Sequence, residues 1–388
     1  MKDHGSLYRK CVVYIFPALA LMLALYAKET SEAARDAIYL CLDVVIPSLF
    51  PFFVLSRLTV PFLKSFSCPR HLRRLIQGLT GLPCYVLPAI VLGYLSGYPT
   101  GAKLARDMLD EGFLDSSQAS RVIAIANNCS PLFIIGTVGA GLFRSIRIGF
   151  ILLAVHWVSG LLAALALNLL LKKRRSQANA GTVVFQGSRI ENKNNRGIAA
   201  LIPGAIEDAA VLSLKVSGYI VLFAVLSELM HKTGFFSLVA NALSAILPGS
   251  LAGNTISALL RGIMEIASGS SAIALTVNSP VIVQLSLVSF ICGFAGFSVH
   301  TQVMGIMKGT KSRYGVFLLG KALHGIIACI LTIAVLKLLP VSLAASGFRP
   351  AITGIPPDFR IFTIMTLIMA LLASPYENGG RIRHPDKS

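Results

Sequence analysis

Four stretches of the chain carry polar or ionisable side chains into otherwise apolar sequence. The first is LSGYPTGAK, residues 95–103: Ser96 and Thr100 supply hydroxyls, Gly97 and Gly101 allow φ above zero, and Pro99 deletes a backbone donor and forces a turn. A helix beginning near Thr100 would offer free amides to an anion, and Lys103 would add positive charge. The second is NNCSP, 127–131, where Asn127, Asn128 and Ser130 precede a proline inside an apolar run. Lipid cannot satisfy these amides, so an unwound helix is expected, with the amides either holding a ligand or repairing the break. The third, RGIMEIASGSS (261–271), places Arg261 and Glu265 four apart on one helix face, where they can pair, followed by Ser268 and Ser270. Ionisable groups at membrane depth point to function, and the roles expected are anion ligand for Arg261 and coupling group for Glu265. The fourth, GFAGFSVHTQ (293–302), contributes Ser298, His300, Thr301 and Gln302. An imidazole changes charge near neutral pH when water reaches it, so His300 is either a proton carrier or a packing histidine.

Other chemistry is excluded by pattern. GVFLLGKA (315–322) nearly matches a phosphate-binding loop but ends in Ala322 and opens an apolar run, so no nucleotide site follows. No HExxH, GxSxG or GxGxxG is present, and neither an enzyme nor a cofactor is expected. The seven cysteines are not paired as CxxC and read as small core residues, with no metal site. His156 and His324 read as packing histidines, and Asp43 and Glu228 as exposed groups toward the outer ends of their segments.

These stretches must be positioned by membrane-embedded elements. Of 388 residues, 55% are hydrophobic and 13% charged, and the mean hydropathy is +0.73, far from a soluble domain with about a quarter of its residues charged. The net charge of +18 sits between apolar runs, so it reads as topology and attraction to anionic lipid, not nucleic-acid binding. Apolar segments lie near 11–27, 36–60, 84–102, 121–143, 148–171, 213–231, 235–252, 254–277, 281–307, 316–340 and 359–373. The glycine- and proline-rich 84–102 and the charged 254–277 read as re-entrant hairpins. Broken backbone at that depth is tolerated only inside protein or along an aqueous cavity.

Placing both hairpins this way puts most Lys and Arg on the cytoplasmic side and gives the two halves opposite senses. Residue echoes agree: SLFPFFVLSRL (48–58) with SGYIVLFAVLSEL (217–229), and CSPLFIIGTVGAGL (129–142) with FAGFSVHTQVMGIM (294–307). The expected fold is an all-α polytopic membrane protein of two inverted repeats with re-entrant hairpins and broken transmembrane helices. Its parts are an N-terminal transmembrane segment (1–35), a first repeat (36–171), a polar cytoplasmic linker (172–200), a second repeat (201–340), and a C-terminal hydrophobic segment with a basic tail (341–388). Interrupted segments in matching positions of two halves point to a transporter with a midplane site.

The chain resembles the YlbJ-type sporulation integral membrane proteins. The resemblance is carried by IPSLFPFFVLS (46–56), SGYPTGAKL (96–104), SPLFIIGTVGAGLF (130–143) and RGIMEIASGS (261–270), within coverage from about 36 to 340. That family carries two gate modules also found in concentrative nucleoside transporters and ferrous iron transporters. The resemblance implies an endospore-forming bacterium and transport of dipicolinic acid, a small aromatic dianion, across the outer forespore membrane from the mother cell. The expected partners are a small anionic substrate and the lipid bilayer, with a homo-oligomer left open. The alternative is a membrane scaffold, without transport, for spore cortex or envelope assembly.

Overall fold

A computed structural model describes residues 4–66, 68–177, 198–246, 253–277 and 279–338; the linker core, the apolar run 359–373 and the basic tail lie outside the described residues. Among the described residues the chain is helical, without strands. α1 (His4–Leu25) exposes Val13, Tyr14, Ile15 and Phe16, as side chains facing lipid do. α2 (Ala27–Leu40) and α3 (Ile46–Thr59) are joined by a π turn into one helical path, Ala27–Leu63. That path starts before the apolar run at 36–60 because its first residues, AKETSEAARD, are polar yet favour helix.

α4 (Arg70–Thr80) is amphipathic, burying Ile76 and Thr80 and exposing Arg70, Arg73 and Arg74. It meets the segment Cys84–Ser96 at 80°, as a surface helix leading into an entering half-helix would. α5 (Leu87–Ser96) and α6 (Thr100–Asp110) flank the break at 97–99. α7 (Ser116–Ala126) opens with a capping box between Asp115 and Gln118. The break at 127–130 and a π-helix, Leu132–Leu142, follow it, and α8 (Ile146–Gln177) ends the first half.

The second half repeats this order. α9 (Ile198–Lys232) matches α2–α3, and α10 (Phe235–Ile246) matches α4. α11 (Gly253–Met264) and α12 (Ile266–Ala274) flank Glu265, and α13 (Val281–Phe294) and α14 (Gly296–Ile306) flank Ala295. α15 (Tyr314–Leu338) takes the place of α8. Both pairs of echoing sequences therefore fall on matching elements.

Two ion pairs set the relative sense of the halves. Glu29 near the start of α2 meets Lys232 at the end of α9 at 4.0 Å, and Arg57 near the end of α3 meets Asp208 near the start of α9 at 3.4 Å. The matching helices thus run antiparallel. Three crossings per half demand this, because an odd number delivers the chain to the opposite face. Five helices among the described residues are long and apolar enough to cross a membrane, and the protein is an all-α, polytopic membrane protein.

Three local expectations change. The first hairpin extends to Asp110, because the polar residues of α6 end the hydropathy signal at 102 while the helix continues. Lys103, expected to add positive charge for an anion, is instead tied within this limb to buried Asp107 (2.6 Å), which Arg57 also approaches (3.9 Å). Cys68 and Cys84, expected to be isolated core thiols, form a disulfide that ties the loop before α4 to the start of the hairpin.

Candidate functional site

Each hairpin tip rests on the break of the following span. Gly97 has φ of 99° and ψ of −175°, a region open essentially to glycine, and a Cβ there would lie 2.6 Å from that of Ser130. The Asn127 side chain reaches α6 and accepts from the Ala102 amide at 3.0 Å. In the second half a Cβ on Gly269 would collide with the Gly262 backbone, so the hairpin limbs touch. A Cβ on Gly296 would come within 3.2 Å of the Gly262 carbonyl, which seats this tip on the break at Ala295. Glu265 is extended, and its carboxylate accepts from the amides of Ala267 (2.9 Å) and Ser268 (2.6 Å), starting α12.

Both hairpin tips and the first break converge on one cleft, and α14, which starts at the second break, supplies a further part of its wall. Ser96 and Tyr98 come from the first tip, Cys129 and Ser130 from the first break, Glu265 from the second tip, and Ser298 and Gln302 from α14. Leu40, Val44 and Val45 before α3, with Val216 and Ile220 of α9, close the remaining wall. A second, charged cleft adjoins it, lined by Lys103, Arg106, Glu207, Asp208, Lys215 and Lys308; Val216 and Gln302 line both. Because Asp208 and Lys215 lie in the first half of α9 and Lys308 just past α14, this vestibule opens on the face where the first half ends.

Of the sequence candidates, the structure brings Ser96, Ser130, Glu265, Ser298 and Gln302 to the cleft wall. Gly97 builds the tip. Thr100 and Ser270 are buried with hydroxyls that find no partner among the described residues. Asn127 and Asn128 return their amide groups to the carbonyls of Ile123 (2.7 Å) and Ile125 (2.9 Å), the repair role. Lys103 is held by Asp107, and Ser268 lies against Glu265. Thr301 bonds the carbonyl of Phe297.

Arg261 does not pair with Glu265: α11 ends at Met264, which swings Glu265 off the helical face, and Arg261 bonds Glu228 of α9 instead. Glu228, expected to be exposed, is therefore a partly buried partner, its side chain 14% exposed. His300 uses one nitrogen toward Tyr314 Oη and the other toward the Phe294 carbonyl, both at 2.9 Å, among Phe294, Phe297 and Phe317. That is the packing role.

Sequence reasoning passed over Lys321. Its amine is fully buried, donates to the Asn127 carbonyl at 2.7 Å, meets His324 Nδ1 at 3.2 Å, and lies 5.1 Å from the centre of the Tyr98 ring. His324 Nε2 is 3.0 Å from the His156 carbonyl, and His156 Nε2 accepts from the Cys129 amide at 3.1 Å. Thus α8 and α15 hold the first break from behind. The signal was present as an ionisable residue inside an apolar helix, masked by its place in a failed phosphate-loop pattern.

The chain is 27% identical over 347 residues to the sporulation integral membrane protein YlbJ of Bacillus subtilis (strain 168), covering 84% of this chain and 82% of that protein. No family model and no solved structure matches it. The similarity necessarily spans both halves, and it supports a YlbJ-type, sporulation-related integral membrane protein.

Proposed function

We propose that the protein transports a small organic acid by alternating access, with dipicolinic acid as the cargo and the outer forespore membrane, from the mother-cell side, as the place. The observation that carries this reading is the cleft where both hairpin tips, the first helix break and α14 meet, with a charged vestibule adjoining it. Interruptions of matching position in antiparallel halves are the architecture in which the halves rock about a central site. Similarity to a sporulation membrane protein supports the setting, and the YlbJ-type resemblance supplies the cargo. Tyr98 and Phe133 offer aromatic faces to a flat ring, and Ser96, Ser130, Ser298 and Gln302 offer hydrogen bonds to carboxylates. Glu265, the carboxylate on the wall, is the coupling group of this reading.

Counterflow in proteoliposomes tests this. Vesicles loaded with unlabelled dipicolinate should accumulate labelled dipicolinate, and an excess of a nucleoside should not compete. Absence of exchange for dipicolinate, a nucleoside and a plain dicarboxylate alike would remove the transport reading and leave the scaffold.

A further inference from the structure

The cleft wall holds Glu265 but no Lys or Arg, while the cargo proposed above is an anion. Arg261 and Lys103, the cations expected there, are bound to Glu228 and Asp107. The buried amine of Lys321 lies behind the wall, against Tyr98 and the Asn127 carbonyl. We propose that Lys321 is the residue that makes the cleft select anions, acting through the Tyr98 ring and the Asn127–Cys129 break without touching cargo in this conformation; the inference rests on the functional reading above.

The amine has three electron-rich neighbours, the Asn127 carbonyl, His324 Nδ1 and the Tyr98 ring, and an ammonium has three N–H groups to direct at them. With Nδ1 facing the ammonium, His324 donates from Nε2 to the His156 carbonyl, and His156 Nε2 accepts from the Cys129 amide. The imidazoles therefore supply dipoles and no negative charge. Among the described residues no carboxylate lies within ion-pair distance of Lys321. Such a charge, shut away from water, is felt farther than a surface lysine, because little solvent screens it.

Two of its neighbours belong to the cleft. Tyr98 lines the cleft with its ring centre 5.1 Å from the amine, and its hydroxyl donates to the Cys292 carbonyl at 2.9 Å, which fixes the ring. Cys129, also on the wall, is tied to the same histidine pair. A carboxylate entering the cleft supplies the counter-charge that Lys321 lacks, whereas an uncharged solute of the same shape gains nothing from it.

The test compares dipicolinate with its uncharged diamide, by equilibrium binding to purified protein and by counterflow, in wild type, Lys321→Arg and Lys321→Met. Wild type and Lys321→Arg should favour the dianion, and Lys321→Met should lose roughly tenfold in dianion affinity while diamide affinity holds. If Lys321→Met does not accumulate, Lys321→Gln, which keeps a donor for the Asn127 carbonyl, takes its place. An unchanged dianion-to-diamide ratio, or equal loss of both ligands, makes Lys321 a structural brace and overturns the inference. Wild type that binds the dianion selectively but shows no counterflow overturns the transport reading alone; wild type that binds both ligands equally overturns the inference alone, and wild type that binds neither and shows no counterflow overturns both.

Discussion

Glu265 caps α12 and also faces the cleft, and substitution can separate these roles. Glu265→Gln retains one of the two acceptor oxygens that serve the Ala267 and Ser268 amides, whereas Glu265→Ala retains none, so thermal unfolding should show an extra loss of about 1 kcal/mol for alanine. Counterflow should fall to a similar extent in both, because each removes the carboxylate; full activity in Glu265→Gln would deny the charge a part in transport. Arg261 has a different place. Its side chain is 20% exposed and bound to Glu228, so single changes Arg261→Met and Glu228→Gln should each destabilise, and the double change should cost less than their sum. Partial exposure keeps the expected coupling on the order of 1–3 kcal/mol, below that of a fully buried pair. An additive cycle would mean the contact carries no energy. The i, i+4 spacing that suggested an Arg261–Glu265 pair holds only while a helix continues, and nothing in residue types alone marks Met264 as its last turn.

At the scale of elements, the tips and breaks were legible because glycine, proline and clustered amides are costly in lipid unless something encloses them. SGYPTG and NNCSP sit where the backbone departs from helix. The second limb of the first hairpin was not legible, since Lys103, Arg106 and Asp107 look like a water-facing surface until Arg57 and the Ile306 and Lys308 carbonyls are seen to meet them. Nor was the place of Lys321, two of whose partners, Asn127 and Tyr98, come from the distant first break and first tip. The contact between tip and break has its own test. Gly97→Ala adds a Cβ against Ser130 in a conformation that only glycine adopts easily, so it should destabilise by about 1–3 kcal/mol and lower counterflow. Gly78→Ala, inside α4 where a Cβ meets nothing, serves as the control and should leave counterflow unchanged and stability equal or up to about 1 kcal/mol higher. Equal behaviour of the two variants would mean the first tip does not bear on the break.

For the whole molecule, the opposed halves were visible in two faint sequence echoes, but their antiparallel sense becomes concrete only in the pairs Glu29–Lys232 and Arg57–Asp208. Further ties agree: Arg313 donates its amide to Ser120, and Arg106 bonds the carbonyls of Ile306 and Lys308, gathering the turns after α6 and α14 on one face. In a bilayer this arrangement makes the two hairpins enter from opposite sides. Single cysteines replacing the exposed Glu111 and Lys308 should therefore react with a membrane-impermeant maleimide from one side of sealed vesicles, and those replacing the exposed Thr233 and Val277 from the other. Labelling right-side-out and inverted vesicles in parallel reads the outcome directly. Were Glu111→Cys and Val277→Cys to label from the same side, one hairpin would have to cross completely, the halves would share an orientation, and a cleft built from both tips could not open to the two faces in turn.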